Sequence, residues 1–282
     1  MADHCHYSGK FRGAACNDCN LQLKFTNYKL PVYFHNGKGF DFHFLVQNIG
    51  KYVHGNINVL PNSMEKFLSI EYGNIKFVDS IMLFQGSIDS LTSSLKQSGL
   101  EVFKIMSAML EKDKKLDLLE DFTRKGVFPH SAVHSHEYFE RGVAPIEDFY
   151  DVLKQQKCEQ EDYEFFCKMY VALGCKNMGE YSDWYLKNDV CLLADIIENS
   201  RKSLHSKLKL DPAWYITLGS FANAAMYHMT QQKIKSFTDV DMHMMTEEGI
   251  RGGITAVPHR FVHALNKYTR KNNSKLHKFA SL

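Results

Sequence analysis

The chain has 282 residues, 44% hydrophobic and 23% charged, with a formal net charge of +2. That length allows one large domain or two modest ones, each able to bury a core, and the composition is that of a globular protein. No run approaches the roughly 20 apolar residues of a membrane span, Met1 to Lys10 lacks the apolar stretch of a secretory signal, and seven cysteines without disulfide-framework spacing point to a reducing compartment, nucleus or cytoplasm.

Residues 1–20 are rich in Cys, His, Gly and Asn and too polar to make a core. Leu30-Pro31-Val32-Tyr33-Phe34-His35-Asn36 is apolar, β-branched and aromatic, the content of a buried strand. Asn36-Gly37-Lys38-Gly39 is a turn, and residues 41–49 have helical spacing through Phe44, Leu45 and Ile49. Strands are expected over 57–60, 67–72 and 75–81, separated by turns at Asn62-Ser63 and Gly73-Asn74. Strand, helix, then hairpins predicts a mixed sheet with helices against it.

After Ser87 the pattern turns helical, with one helix starting at 87–91 and another over 114–122. Residues 126–145 read as loop. Helical periodicity returns over 146–155, 159–173 and 180–207, the last with Tyr185, Asp189, Leu192, Leu193 and Ile196 on one broad face. Asp211-Pro212 ends it, 220–229 is a further short helix, and 249–257 reads as a glycine-rich turn into a strand. From Gly249 onward there are seven Lys or Arg and no Asp or Glu, so 27 basic and 32 acidic residues remain elsewhere, net −5. Two readings fit this block: a polyanion contact beside a body that does carboxylate chemistry, or a solvated tail.

Two carboxylates stand out. Asp41 follows a buried strand at a helix start, where it can bind a divalent metal with oxygen ligands or cap the helix. Asp189 lies four residues after Tyr185, on one helix face. A carboxylate in an apolar stripe needs a partner or a metal, and a tyrosine one turn earlier can hold a water, the arrangement for metal-activated attack on a phosphodiester. The alternative is an aspartate facing solvent.

In this order and about 150 residues apart, Asn36…Phe40-Asp41 and Tyr185…Asp189 resemble the second and third exonuclease motifs of family B DNA polymerases. The surrounding text resembles the protein-primed branch found in Polinton-like and adenovirus-like elements and organellar plasmids. It does so at Pro31-Val32-Tyr33-Phe34-His35-Asn36, Ile75-Lys76-Phe77-Val78-Asp79-Ser80, Arg124-Lys125-Gly126-Val127-Phe128-Pro129, Leu210-Asp211-Pro212 and Glu248-Gly249-Ile250-Arg251-Gly252-Gly253. The likeness runs over roughly residues 3–271. It implies an α/β fold with an RNase H-like 3′–5′ exonuclease domain over 30–208 and the start of a polymerase domain over 209–282. It implies Mg²⁺ or Mn²⁺ held by Asp41 and Asp189, a water oriented by Tyr185, and primer-terminal single strand held by Asn36 and Phe40. Lys125 is the expected basic residue near the scissile phosphate. Arg251, Gly252 and Gly253 fall where a Tyr-x-Gly-Gly motif contacts template strand, with Ile250 in place of the aromatic. The partners implied are DNA and a terminal protein primer.

The family's first exonuclease motif, Asp-x-Glu on an upstream strand, has no counterpart before Asn36. Asp162-Tyr163-Glu164 lies later, in a helical stretch. The chain is therefore expected to be a fragment, weak or inactive as an exonuclease and inactive as a polymerase. Within a Cys/His segment over residues 1–29, Asp3 to Asn20 resembles the recombination endonuclease VII pattern, with Cys16 and Cys19 spaced as half of a tetrahedral zinc site and His4 and His6 as further candidate ligands. A structural zinc knuckle is the expectation. An endonuclease built on this segment and a non-catalytic DNA-binding remnant of a mobile element are the alternatives.

Overall fold

The computed structural model describes residues 2–4, 11–14, 29–52, 56–63, 66–233 and 235–250, with the backbone alone for 2–4, 11–14, 50 and 52. It divides into two compact units, Met1–Gln232 and Lys233–Leu282. In the first, β1 (Ala2–His4) pairs antiparallel with β2 (Phe11–Ala14). Then come β3 (Leu30–Phe34), α1 (Asp41–Tyr52), β4 (Ile57–Ser63), β5 (Lys66–Tyr72) and β6 (Ile75–Asp79). These four strands form a mixed sheet in the order β3-β6-β5-β4, with β3 parallel to β6 and the other pairs antiparallel. The expected mixed sheet is present, and Gly73, at φ 54°, makes the tight β5–β6 turn. Asn62 and Ser63, expected as a turn, are instead the last residues of β4.

Among the described residues β3 is an edge strand. The Leu30 amide donates to Asn74 O at 2.6 Å, so residues 30, 32 and 34 direct their backbone groups at β6. Residues 31 and 33 then face the open edge. Pro31 has no N–H to lose there, which is where a strand tolerates proline.

The helices are α2 (Ile88–Lys96), α3 (Lys104–Lys112), α4 (Leu119–Phe122), α5 (Gln160–Leu173), α6 (Met178–Leu208) and α7 (Leu218–Thr230), with α8 (Val240–Gly249) in the second unit. Helix α6 is 31 residues long. The Asn177 side chain caps it by accepting from Glu180 N, and Lys209, at φ 57°, stops it in the left-handed conformation. Its buried residues recur at three- and four-residue steps, Tyr181, Tyr185, Asn188, Leu192 and Ile196 among them. That face packs into the main core with Phe103, Met106 and Phe166, all fully buried.

Two helical expectations are corrected. Residues 146–155 are a 3₁₀ turn, Ile146–Phe149, and then a tight bend in which Asp151 and Gln156 bridge. The Asp151 carboxylate accepts from Leu153 N and Lys154 N at 2.9 and 3.0 Å, competing with helix formation as short polar side chains do. The helix expected over 114–122 shrinks to a 3₁₀ turn and α4, because Lys114 adopts φ 57°. Helices α3 and α8 are additional to the expectation. Among the described residues no helix is long and apolar enough to cross a membrane.

Candidate functional site

The turn between β3 and α1 carries Asn36, Phe40 and Asp41. Asn36 sits at φ 66°, and the fully buried carboxylate of Asp79, at the end of β6, fixes the turn. Its Oδ1 accepts from Asn36 N at 2.8 Å and from Ile81 N at 3.1 Å, and its Oδ2 accepts from Lys38 N at 3.0 Å. An added Cβ on Gly39 would lie 2.9 Å from Asn36 Oδ1, so the bare glycine leaves room for the Asn36 amide. His35 anchors the same turn, with Nδ1 3.0 Å from Ser80 Oγ and Nε2 2.9 Å from Gly86 O. Phe40 is 63% exposed and packs edge-on against Phe44, presenting an aromatic face at the mouth of the turn. Asp41 opens α1, half-buried, and its carboxylate makes no hydrogen bond or ion pair with any described residue. It does not cap the helix it starts.

The second half of the site lies where loop 124–130 crosses α6. Asn188 Nδ2 donates to Arg124 O at 3.0 Å, and Tyr181 Oη donates to Val127 O at 2.9 Å. Phe128 lies against Tyr181 and Tyr185, with ring centroids 6.4 and 5.0 Å apart. Gly126 lets the loop approach, since a Cβ there would lie 2.8 Å from Tyr185 Cδ2. This strapping brings Lys125 and His130 beside Tyr185 and Asp189. His130 Nε2 is 3.2 Å from the Tyr185 hydroxyl.

The electrostatics of this cluster are those of a poised site. Burial holds the Asp189 carboxyl above its ordinary range, opposed by the Lys125 charge, the Tyr185 hydroxyl and His130. Its Oδ1 is buried with no hydrogen-bond partner among the described residues. Burial and the neighbouring Asp189 push the Tyr185 phenol well above its usual value, so it stays protonated. Partial burial and the Lys125 charge pull His130 down.

Tyr185, Asp189 and Lys125 thus lie beside one another. His130 joins them without having been singled out, although its place in Val127-Phe128-Pro129-His130, just after Lys125, was the available signal. Asn36, Phe40 and Asp41 group separately on the β3–α1 turn. Strand β3 and helix α6 wall one cleft of about 530 Å³, lined by Leu30, Tyr33, Ile105, Val190, Leu193 and Ile197 among others. Asp162 lies in α5 and pairs with Arg124 at 2.7 Å. His6, Cys16, Cys19, Arg251, Gly252 and Gly253 lie outside the described residues, as does the side chain of His4. Cys158, Cys167, Cys175 and Cys191 are free thiols.

Among the described residues no three His, Cys, Asp or Glu side chains converge as a metal cage. An orphaned, buried carboxylate oxygen on Asp189 and an unpaired carboxylate on Asp41 are still the hard oxygen donors that Mg²⁺ and Mn²⁺ take, so they fit part of such a centre.

No curated protein and no solved structure matches the chain. The model for type B DNA polymerases, organellar and viral, matches residues 21–269. The chain therefore belongs to the organellar and viral type B DNA polymerases, a family of DNA replication enzymes whose substrate is DNA.

Proposed function

We propose that residues 30–208 form an RNase H-like 3′–5′ exonuclease domain of a protein-primed type B DNA polymerase, which removes a mispaired 3′ nucleotide. The observation that carries this reading is the buried Asp189 Oδ1, without a hydrogen-bond partner among the described residues, beside a protonated Tyr185 hydroxyl and in reach of the Lys125 charge. Asp41 and Asp189 hold Mg²⁺ or Mn²⁺, which when bound activates water and offsets charge on the phosphate. Tyr185 accepts a hydrogen bond from the attacking water and so aims its lone pair. Lys125 sits where negative charge develops on the scissile phosphate. Phe40 stacks on the terminal base, and Asn36, locked by Asp79, hydrogen-bonds the unpaired strand. Arg251, Gly252 and Gly253 guide template strand toward a polymerase domain beginning at residue 209, which a terminal protein primes. Zinc on Cys16 and Cys19, with His4 or His6, staples residues 1–29.

Two carboxylates are too few for a two-metal centre, and the open edge of β3 supports a source for the rest. Among the described residues Tyr33 N–H and the carbonyls of Pro31 and Tyr33 are free to pair with one more strand, and the cleft between β3 and α6 is lined mainly by apolar side chains. In this reading that strand brings an Asp-x-Glu pair.

The test is 3′ trimming of a 5′-labelled single-stranded oligonucleotide with Mg²⁺ or Mn²⁺. It is run on the full chain and on the same chain with an Asp-x-Glu strand fused ahead of β3. Trimming that disappears in Asp41→Ala and in Asp189→Ala is expected. Nicking of duplex DNA that needs His4 but not Asp41 would replace this reading with an endonuclease. Salt-sensitive strand binding without cleavage would replace it with a binding remnant.

A further inference from the structure

Within the proposed exonuclease site, and resting on that reading, we propose that His130 is a positioning residue that fixes the direction in which the Tyr185 hydroxyl is presented beside Asp189. The Tyr185 ring is already immobilised, with Phe128 at 5.0 Å on one side and Gly126 pressed against its edge. What packing leaves free is rotation of the O–H about its C–O bond, since a hydroxyl proton turns to suit its partner. The rotor has two candidate acceptors, the Asp189 carboxylate and His130 Nε2.

The hydroxyl also steadies the charged form of Asp189, but the contact within hydrogen-bond distance is to the imidazole. Nε2 is 3.2 Å from the hydroxyl oxygen, and the two rings meet edge-to-face at 73°. His130 is itself held, by its backbone N–H to Phe128 O at 3.0 Å and by its ring against Phe128 at 5.1 Å. The ring is pushed toward the neutral form, in which Nε2 can accept. With its proton committed to His130, the Tyr185 oxygen turns its lone pairs toward Asp189 and the space in front of it. There it can accept from a water but cannot donate to the carboxylate. The Asp189 oxygen atoms then stay free for a cation. Without His130 the O–H rotates onto Asp189 and competes for that carboxylate.

Two substitutions separate this role from simple packing. His130→Phe keeps a ring against Tyr185 and removes the acceptor, while His130→Gln removes the ring and keeps an acceptor. Single-turnover trimming should slow by about tenfold in His130→Phe, the rate equivalent of one ordinary hydrogen bond, with KM for the oligonucleotide unchanged. His130→Gln should restore most of the rate. In a Tyr185→Phe background, His130→Phe should have no further effect. The hydrogen bond is read separately by fluorine NMR of 3-fluorotyrosine-labelled protein. The Tyr185 resonance, assigned from its absence in Tyr185→Phe, should move in His130→Phe and return in His130→Gln. An unmoved resonance, wild-type trimming in His130→Phe, or an additive loss with Tyr185→Phe overturns the proposal. If trimming vanishes in Asp189→Asn while any of these holds, only the His130 role fails. If neither the full chain nor the strand-fused chain trims, the exonuclease reading fails and takes this role with it.

Discussion

Gly126 is where the loop backbone and the Tyr185 ring compete for the same space, and replacing it with alanine measures that competition. The added Cβ would lie 2.8 Å from Tyr185 Cδ2 and 3.2 Å from Cε2, about 1 Å inside ordinary carbon contact. The ring cannot swing away cheaply, because Phe128 lies tilted against it at 5.0 Å and the rest of α6 fixes its Cα. Overpacking of this kind costs about 1–3 kcal/mol. Lost chain entropy in the unfolded state offsets under about 1 kcal/mol of that, leaving about 2 kcal/mol. For a unit the size of Met1–Gln232, that lowers Tm by roughly 4–8 °C. Gly142 is the control, since nothing lies within 4 Å of its added Cβ and its φ is not left-handed. Gly142→Ala should melt at or slightly above the wild-type temperature. Thermal unfolding followed by circular dichroism reads both, and trimming by Gly126→Ala should fall further than its stability does. Equal melting temperatures for the two variants would show that the loop yields and the ring does not, and the account of why Tyr185 is fixed would be wrong.

Asp79→Ala leaves the Asn36, Lys38 and Ile81 amides without their acceptor and should cost about 3 kcal/mol in urea unfolding, with Asp79→Asn recovering part of it. Asp195 accepts from Ile105 N and Met106 N, both at 2.9 Å, and so caps α3. Asp195→Ala should lose about 2 kcal/mol, seen as faster amide exchange along residues 104–112. Asp189 has a folded-state pKa above its unfolded value, so its ionisation weakens the fold as pH rises through that pKa. Asp189→Asn should therefore melt higher than wild type at pH 7 in the presence of a chelator, with the gap closing near pH 4. Added Mn²⁺ should raise the Tm of the wild type and leave Asp189→Asn unmoved.

The sequence by itself carried the sheet and the long helix, because their signals are local. Short apolar runs in β4 and β5, a glycine at the β5–β6 turn and three- and four-residue spacing through α6 are each read over a few neighbouring residues. It also carried the pairing of Tyr185 with Asp189, which one helix turn enforces whatever surrounds it. Helix α3 escaped notice because its cap is Asp195, 90 residues further along the chain. The 146–155 segment has helical spacing, yet the Asp151 side chain takes backbone amides that a helix would use. Only the tertiary structure decided that loop 124–130 folds over Tyr185, bringing Lys125 and His130 to Asp189, because those contacts span 55 to 64 residues and depend on packing. It alone decided that Asp79 locks the Asn36 turn, and that β3 presents an open edge across a cleft from α6. Spacing along a chain fixes which side chains share an element. Which elements meet is set by burial and long-range hydrogen bonding, and these have no local signature.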